Sequence, residues 1–165
     1  MSIEAPSALV NSDCVAEAFE SISSSACSME AKNLGQQEGE VLSSEVILAV
    51  ISLMGQVDWS VFMGLSQDVA PKLAAKFAGF EIPFDSPDLA DAVGELANIL
   101  GGEVKARLDG RGVQADISLP SVLRGENLKL MIPRDTPLIR YHFETPVGEV
   151  IVGVVAGRKS TLAAG

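Results

Sequence analysis

Two acids and an amide, Asp91, Glu95 and Asn98, are spaced four and three residues apart in the segment DAVGELANILGG at 91–102. With Leu89 set at zero on a helical wheel of about 100° per residue, Val93 falls at about 40°, Leu96 at about 340° and Leu100 at about 20°. That is a narrow apolar stripe. Asp91 lies at about 200°, Glu95 at about 240° and Asn98 at about 180°, so the three polar side chains share one ridge turned away from the stripe, with Gly94 beside it at about 140°. A carboxylate pair of this kind can seat a cation, and a carboxamide can both donate to and accept from one water. Locally the ridge is unfavourable. Like charges at i,i+4 cost a few tenths of a kcal/mol, and a mid-helix glycine costs roughly 1 kcal/mol relative to alanine. The spacing alone leaves two readings open: a solvated helix face with odd polar residues, or a docking face whose missing cation comes from a partner that approaches closely over Gly94.

Other residues with chemical potential lead nowhere by themselves. The lone histidine, His142, sits in RYHFE, where Ile139, Tyr141 and Phe143 alternate with Arg140, His142 and Glu144, making it a polar-face strand residue. LDGRGV lacks the helix and the lysine of a phosphate-binding P-loop, and no GxSxG elbow occurs. Trp59 and Phe62 read as packing residues, and EGE at 38–40 as a solvated turn. Cys14 and Cys27 fall in one expected helix, where thirteen residues at about 1.5 Å each hold them roughly 20 Å apart, far beyond disulfide reach. With one histidine there is no Cys/His zinc site to assemble.

The ridge helix has clear start signals: Ser86 as N-cap, Pro87 at the first helical position, and Asp88 near the positive end of the dipole. Gly101-Gly102 is the expected stop. Before it, 9–29 reads as a helix with Val15, Phe19, Ile22 and Ala26 on one face, capped from among Asn11, Ser12 and Asp13 and weakened by serines 23–25. EVILAVISLM and WSVFMGL, separated by GQVD, read as a β-hairpin. A further helix is expected at 68–78, with Asp68 as cap, Pro71 in the first turn and Gly79 closing it. After the ridge, strands are expected at 104–108, 113–119, 128–132, 139–145 and 149–155, split by DGRG, RGEN, PRDTP and TPVGE, and the tail at 159–165 frays. Short connections favour antiparallel neighbours, so the fold class is α+β: a mostly antiparallel sheet with helices on one face.

The 165 residues suffice for a single module over 1–165, and no repeat or linker divides them. Twelve basic against 22 acidic side chains leave a net charge of −10, which repels phosphate backbones and anionic lipids, so neither nucleic acid nor membrane is an expected partner. Residues 1–10 have no basic n-region or apolar h-region, and the longest apolar stretch, 46–54, is too short to span a bilayer. A reducing compartment, the cytoplasm, is the expectation.

The ridge segment resembles the signature helix of the CheC–CheX–FliY family of chemotaxis phosphatases: an acidic or serine residue, three residues, Glu, two residues, Asn, and a later proline. Asp91, Glu95 and Asn98 match, and Pro120 follows after 21 intervening residues, one fewer than the family pattern. GLSQDVAPKLAAKFAG at 64–79 is similar to the preceding family helix and ISLPSVLRGEN at 117–127 to the proline-containing strand exit. CheC-type proteins resemble two fused halves, each with such a helix. Here the first helix offers Asp13, Glu17 and Glu20 at the same spacing, with Glu where Asn belongs, and reads as structural. A single copy is similar to the CheX branch, which implies a homodimer.

The resemblance implies a CheX/CheC-like fold and a hydrolase of two-component signalling that removes the phosphoryl group from the aspartyl phosphate of a CheY-like response regulator. Asn98 would orient the attacking water and Glu95 would pair with the regulator's lysine, with Asp91 and Gly94 as partner-binding positions. No metal belongs to this chain; Mg²⁺ is expected from the response regulator. The alternative is a non-catalytic CheX-like module that docks a response regulator or motor component.

Overall fold

The computed structural model describes residues 9–36, 45–128 and 131–157. The expected turn at 38–40 and the tail at 159–165 lie outside them. Among these residues, three helices, α1 (Asp13–Cys27), α2 (Ala70–Ala78) and α3 (Pro87–Gly110), accompany seven strands: β1 (Lys32–Gln36), β2 (Glu45–Gly55), β3 (Asp58–Ser66), β4 (Ala115–Ile117), β5 (Ser121–Glu126), β6 (Leu138–Thr145) and β7 (Gly148–Ala156). They form one sheet in the order β1-β6-β7-β3-β2-β4, with β5 also paired to β2. Every pairing is antiparallel.

Period-two alternation explains how the sheet meets the helices. Ile47, Ala49, Ile51 and Leu53 of β2, Trp59, Val61, Met63 and Leu65 of β3, and Val150, Val152 and Val154 of β7 are buried in one cluster with Phe19 and Ile22 of α1, Leu73 of α2 and the apolar stripe of α3. The helices therefore cover one face, as the pattern predicts. The expected hairpin is β2–β3, running in unbroken register from Val46 opposite Ser66 to Met54 opposite Asp58.

Several expectations need correction. First, α3 does not stop at Gly101-Gly102 but runs to Gly110, so the expected strand at 104–108 is its last turns. Leu96, Leu100, Val104 and Leu108 recur every four residues and all are buried. Two glycines cost about 2 kcal/mol in helix propensity. Burying Val104 and Leu108 returns roughly 1.5–3 kcal/mol each, so the helix continues. Gly101 is there for packing: a Cβ would lie 2.7 Å from Ile51 Cδ1. Second, α2 begins at Ala70 with Val69, not Asp68, at its cap position; the Ser66 hydroxyl accepts from the Val69 N–H at 3.3 Å.

Third, the expected strand at 113–119 shortens to Ala115–Ile117, and RGE of the expected RGEN turn is strand, because Glu45 to Ile47 of β2 pair with Glu126 to Arg124. The turn comes at Asn127, whose φ is 51°. Leu128, Met131 and Ile132 are not in a strand, and the rest of the segment expected at 128–132 is outside the described residues. Fourth, β1, absent from the sequence reading, pairs with β6. The first helix is also shorter than 9–29, closing at Ser28 in a left-handed cap conformation.

Candidate functional site

The signals that start α3 work as expected. Ser86 is extended at the N-cap, its hydroxyl oxygen accepts from the Asp88 N–H at 3.2 Å, and Pro87 fills the first turn. This fixes the phase of the helix. Leu89, Val93, Leu96 and Leu100 then point into the core at no more than 1% exposure, while Asp91, Glu95 and Asn98 are all exposed. The acid and the amide project together from consecutive turns of one rigid helix.

Among the described residues, no side-chain hydrogen bond or ion pair engages Asp91, Glu95 or Asn98. The far half of the same helix differs. Glu103 pairs with Arg107 at 3.2 Å, Arg107 with Glu17 of α1 at 3.1 Å, and Lys105 with Asp109 at 3.8 Å. Lys105 also donates to the Ala115 carbonyl at 2.5 Å. The polar groups of the last turns thus serve the fold, whereas those of the ridge are left to solvent.

Gly94 is placed differently from the sequence expectation of a gap open to a partner. It is buried, and a Cβ there would stand 3.5 Å from Val122 Cγ2 and 3.9 Å from Pro120 Cγ, ordinary contact distances. The bare flank of α3 is therefore met by this chain's own β5 edge. That contact brings Pro120 beside the ridge, although it lies far along the sequence.

The remaining candidates sit elsewhere. His142 is opposite Ile151 on the sheet face away from the helices, with Nδ1 2.8 Å from Glu149 Oε1. Trp59 and Phe62 are buried. Cys14 and Cys27 are free and buried, and burial pushes both thiols above the usual range, which makes them poor nucleophiles. Among the described residues no group of three or more His, Cys, Asp or Glu could hold a metal ion, and no helix is long and apolar enough to cross a membrane.

In the first helix, Asp13 and Glu17 are taken up by arginines that the sequence reading did not single out. Arg111 donates to both Asp13 oxygens, at 2.8 and 2.9 Å, and to Asn11 Oδ1 at 3.2 Å. The Arg111 guanidinium holds the Asp13 carboxyl below the usual carboxylate range. The available signal was Glu17, which is half-buried on α1, since a carboxylate partly removed from water calls for a cation from elsewhere in the fold.

Comparison with known proteins agrees with this architecture. A CheC-like superfamily protein from Shewanella sp. PV-4 superposes with a TM-score of 0.77 at 18% identity, covering 90% of this chain and 97% of that one. The chemotaxis protein CheX from Desulfovibrio desulfuricans gives 0.72 at 20% identity over 89% and 99%. The CheX of a CheX–CheY–BeF3–Mg²⁺ complex from Borrelia burgdorferi gives 0.69 at 24% identity over 89% and 97%. In sequence, the CheY-P phosphatase CheX of Thermotoga maritima is 29% identical over 85 residues, 51% of this chain, so the match spans about half the length of that relative, 55%. The family model for the chemotaxis phosphatase CheX matches residues 47–144, a stretch holding the ridge helix, Pro120 and five of the seven strands wholly or nearly so. The chain belongs to the chemotaxis phosphatase CheX family.

Proposed function

We propose that this chain dephosphorylates a CheY-like response regulator by hydrolysing its aspartyl phosphate. The observation that carries the reading is the exposure of Glu95 and Asn98 on adjacent turns, with no partner for either among the described residues. Phosphoryl transfer asks little covalent chemistry of a protein; positioning and charge placement supply most of the acceleration. The Asn98 carboxamide accepts from one water and donates to its oxygen, holding it in line with the phosphorus. The water oxygen bonds to phosphorus as the bond from phosphorus to the aspartyl oxygen breaks. The aspartate leaves as carboxylate, and the water's protons go to the released phosphate and solvent. An amide is no general base, so Asn98 orients rather than abstracts.

Glu95 pairs with the lysine of the receiver domain and anchors α3 over the phosphate, and Asp91 adds a docking contact one turn away. On a chain of net charge −10 the cation that attracts the ridge has to come from the partner. Mg²⁺ belongs to the receiver, in keeping with the magnesium in the Borrelia CheX–CheY complex. The activity named for the Thermotoga relative supports the same substrate class. A single ridge helix per chain favours a homodimer, and a receiver substrate favours the cytoplasm.

The test follows decay of a phosphorylated response regulator with wild type, Glu95→Ala and Asn98→Ala. Wild type accelerates decay and both variants lose the acceleration, while Asn98→Ala retains more of the binding. Wild type that binds without speeding decay would instead identify a docking module.

A further inference from the structure

The edge of the sheet beside the ridge is irregular in a way that exposes one leucine. Ile117 of β4 pairs with Leu53, and Ser121 of β5 pairs with Val50. Three residues, Ser118, Leu119 and Pro120, thus face only two on β2, Ile51 and Ser52. This is a β-bulge, a device that re-aims a side chain and is over-represented next to functional sites. In an unbulged strand Leu119 would alternate onto the face of Ile117. Here it is 88% exposed.

An exposed leucine by itself means little, but this one is held in place. The Ser118 N–H donates to the Ser52 carbonyl at 2.9 Å, the Ser52 N–H donates to Ser118 Oγ at 3.0 Å, and the Ser118 hydroxyl donates to the Leu119 carbonyl at 2.9 Å. Pro120 then restricts the backbone of the residue before it to extended conformations. Leu119 is presented to solvent with its backbone freedom already removed, which lowers the ordering cost of burying it in a partner.

Its position is set by contacts on either side. The segment runs antiparallel to α3, from Lys105 bonded to the Ala115 carbonyl at one end to Pro120 and Val122 against Gly94 at the other. Leu119 and the turn carrying Asn98 both lie between those two anchor points. A folded protein that docks over Asn98 covers about 800 Å² of surface, an area large enough to take in Leu119.

We propose that Leu119 is an apolar docking anchor for the phosphorylated receiver domain, seating an apolar patch beside the acyl phosphate while Asn98 handles the water. This rests on the phosphatase reading above. It is a positioning residue, which predicts a split between binding and chemistry. The experiment measures KM and kcat for phosphate release, and Kd for the receiver loaded with beryllium fluoride and Mg²⁺, using wild type, Leu119→Ser, Leu119→Met and Asn98→Ala, with the thermal midpoint as a control for folding. Leu119→Ser is expected to raise KM and Kd by about tenfold with kcat changed less than about twofold, and Leu119→Met to recover most of the loss. Asn98→Ala lowers kcat instead. Active wild type with unchanged KM and Kd in Leu119→Ser overturns the anchor and leaves the phosphatase reading intact. Wild type that binds the loaded receiver without hydrolysis overturns the phosphatase reading; weaker binding by Leu119→Ser then still upholds the anchor, and equal binding overturns it. Wild type that neither binds nor hydrolyses overturns both.

Discussion

Two helices of this chain carry acids at the same spacing, and the fold treats them in opposite ways. Asp13 and Glu17 on α1 stand four residues apart, like Asp91 and Glu95 on α3, and each pair is followed three residues later by another polar residue, Glu20 or Asn98. On α1 the pair is consumed internally: Arg111 grips Asp13 through two bonds and Arg107 reaches Glu17 at 3.1 Å, tying α1 to the end of α3. On α3 the pair faces solvent with no partner among the described residues. Spacing therefore identifies a helix face but not its use. On the function proposed above, what separates the two faces is whether the chain supplies the opposite charge itself.

The sharpest way to break the comparison is to remove the ridge groups. Asn98→Ala and Glu95→Ala should each slow receiver dephosphorylation by about a hundredfold or more, since losing the position of a reacting group is worth that much. Thermal stability should stay within about 0.5 kcal/mol because both side chains are exposed and have no partner among the described residues. Next in size is the mirror experiment on α1. Glu17→Ala should lower stability by about 0.5–1 kcal/mol, read by urea unfolding, and leave the dephosphorylation rate unchanged.

Completing the pattern on α1 is a subtler probe. Glu20→Asn, placed in an Asn98→Ala background, should restore no phosphatase activity, because Arg111 and Arg107 already occupy the acids beside it. Recovery of activity would show that the spacing alone suffices. The smallest effect is on acid stability. The Asp13 carboxyl is held below its ordinary value, first by its hydrogen bond from Arg111. A depressed carboxylate contributes stability that is present above its unfolded value, about 4, and is lost as pH falls through the lower folded value. Asp13→Asn should flatten that part of the stability profile below about pH 4 and change nothing at pH 7 beyond the loss of the pair itself.

The ridge was legible in the sequence because it depends only on the pitch of a helix and on a serine–proline start at Ser86 and Pro87. Its exposure follows from the stripe of Leu89, Val93, Leu96 and Leu100 on the other side. The far end of α3 was not legible, because Gly101 is a stop signal in isolation and becomes a packing residue only against Ile51 of β2. The same holds for Gly94, whose open side is closed by Pro120 and Val122. Strands β1 and β5 have mostly exposed polar residues at a sheet edge, so alternation gives them little signal. The bulge at Ser118–Pro120 exists only in the register with β2, and a register between distant strands leaves no mark on local composition.

The most direct test of the central claim is the single-turnover rate of phosphate release from a receiver domain saturated with this protein, compared between wild type and Asn98→Ala. At saturation binding drops out, and only the step that needs an oriented water remains. A fall of about a hundredfold or more with a fully formed complex is the result expected if Asn98 holds the water. An undiminished rate in the variant would contradict it.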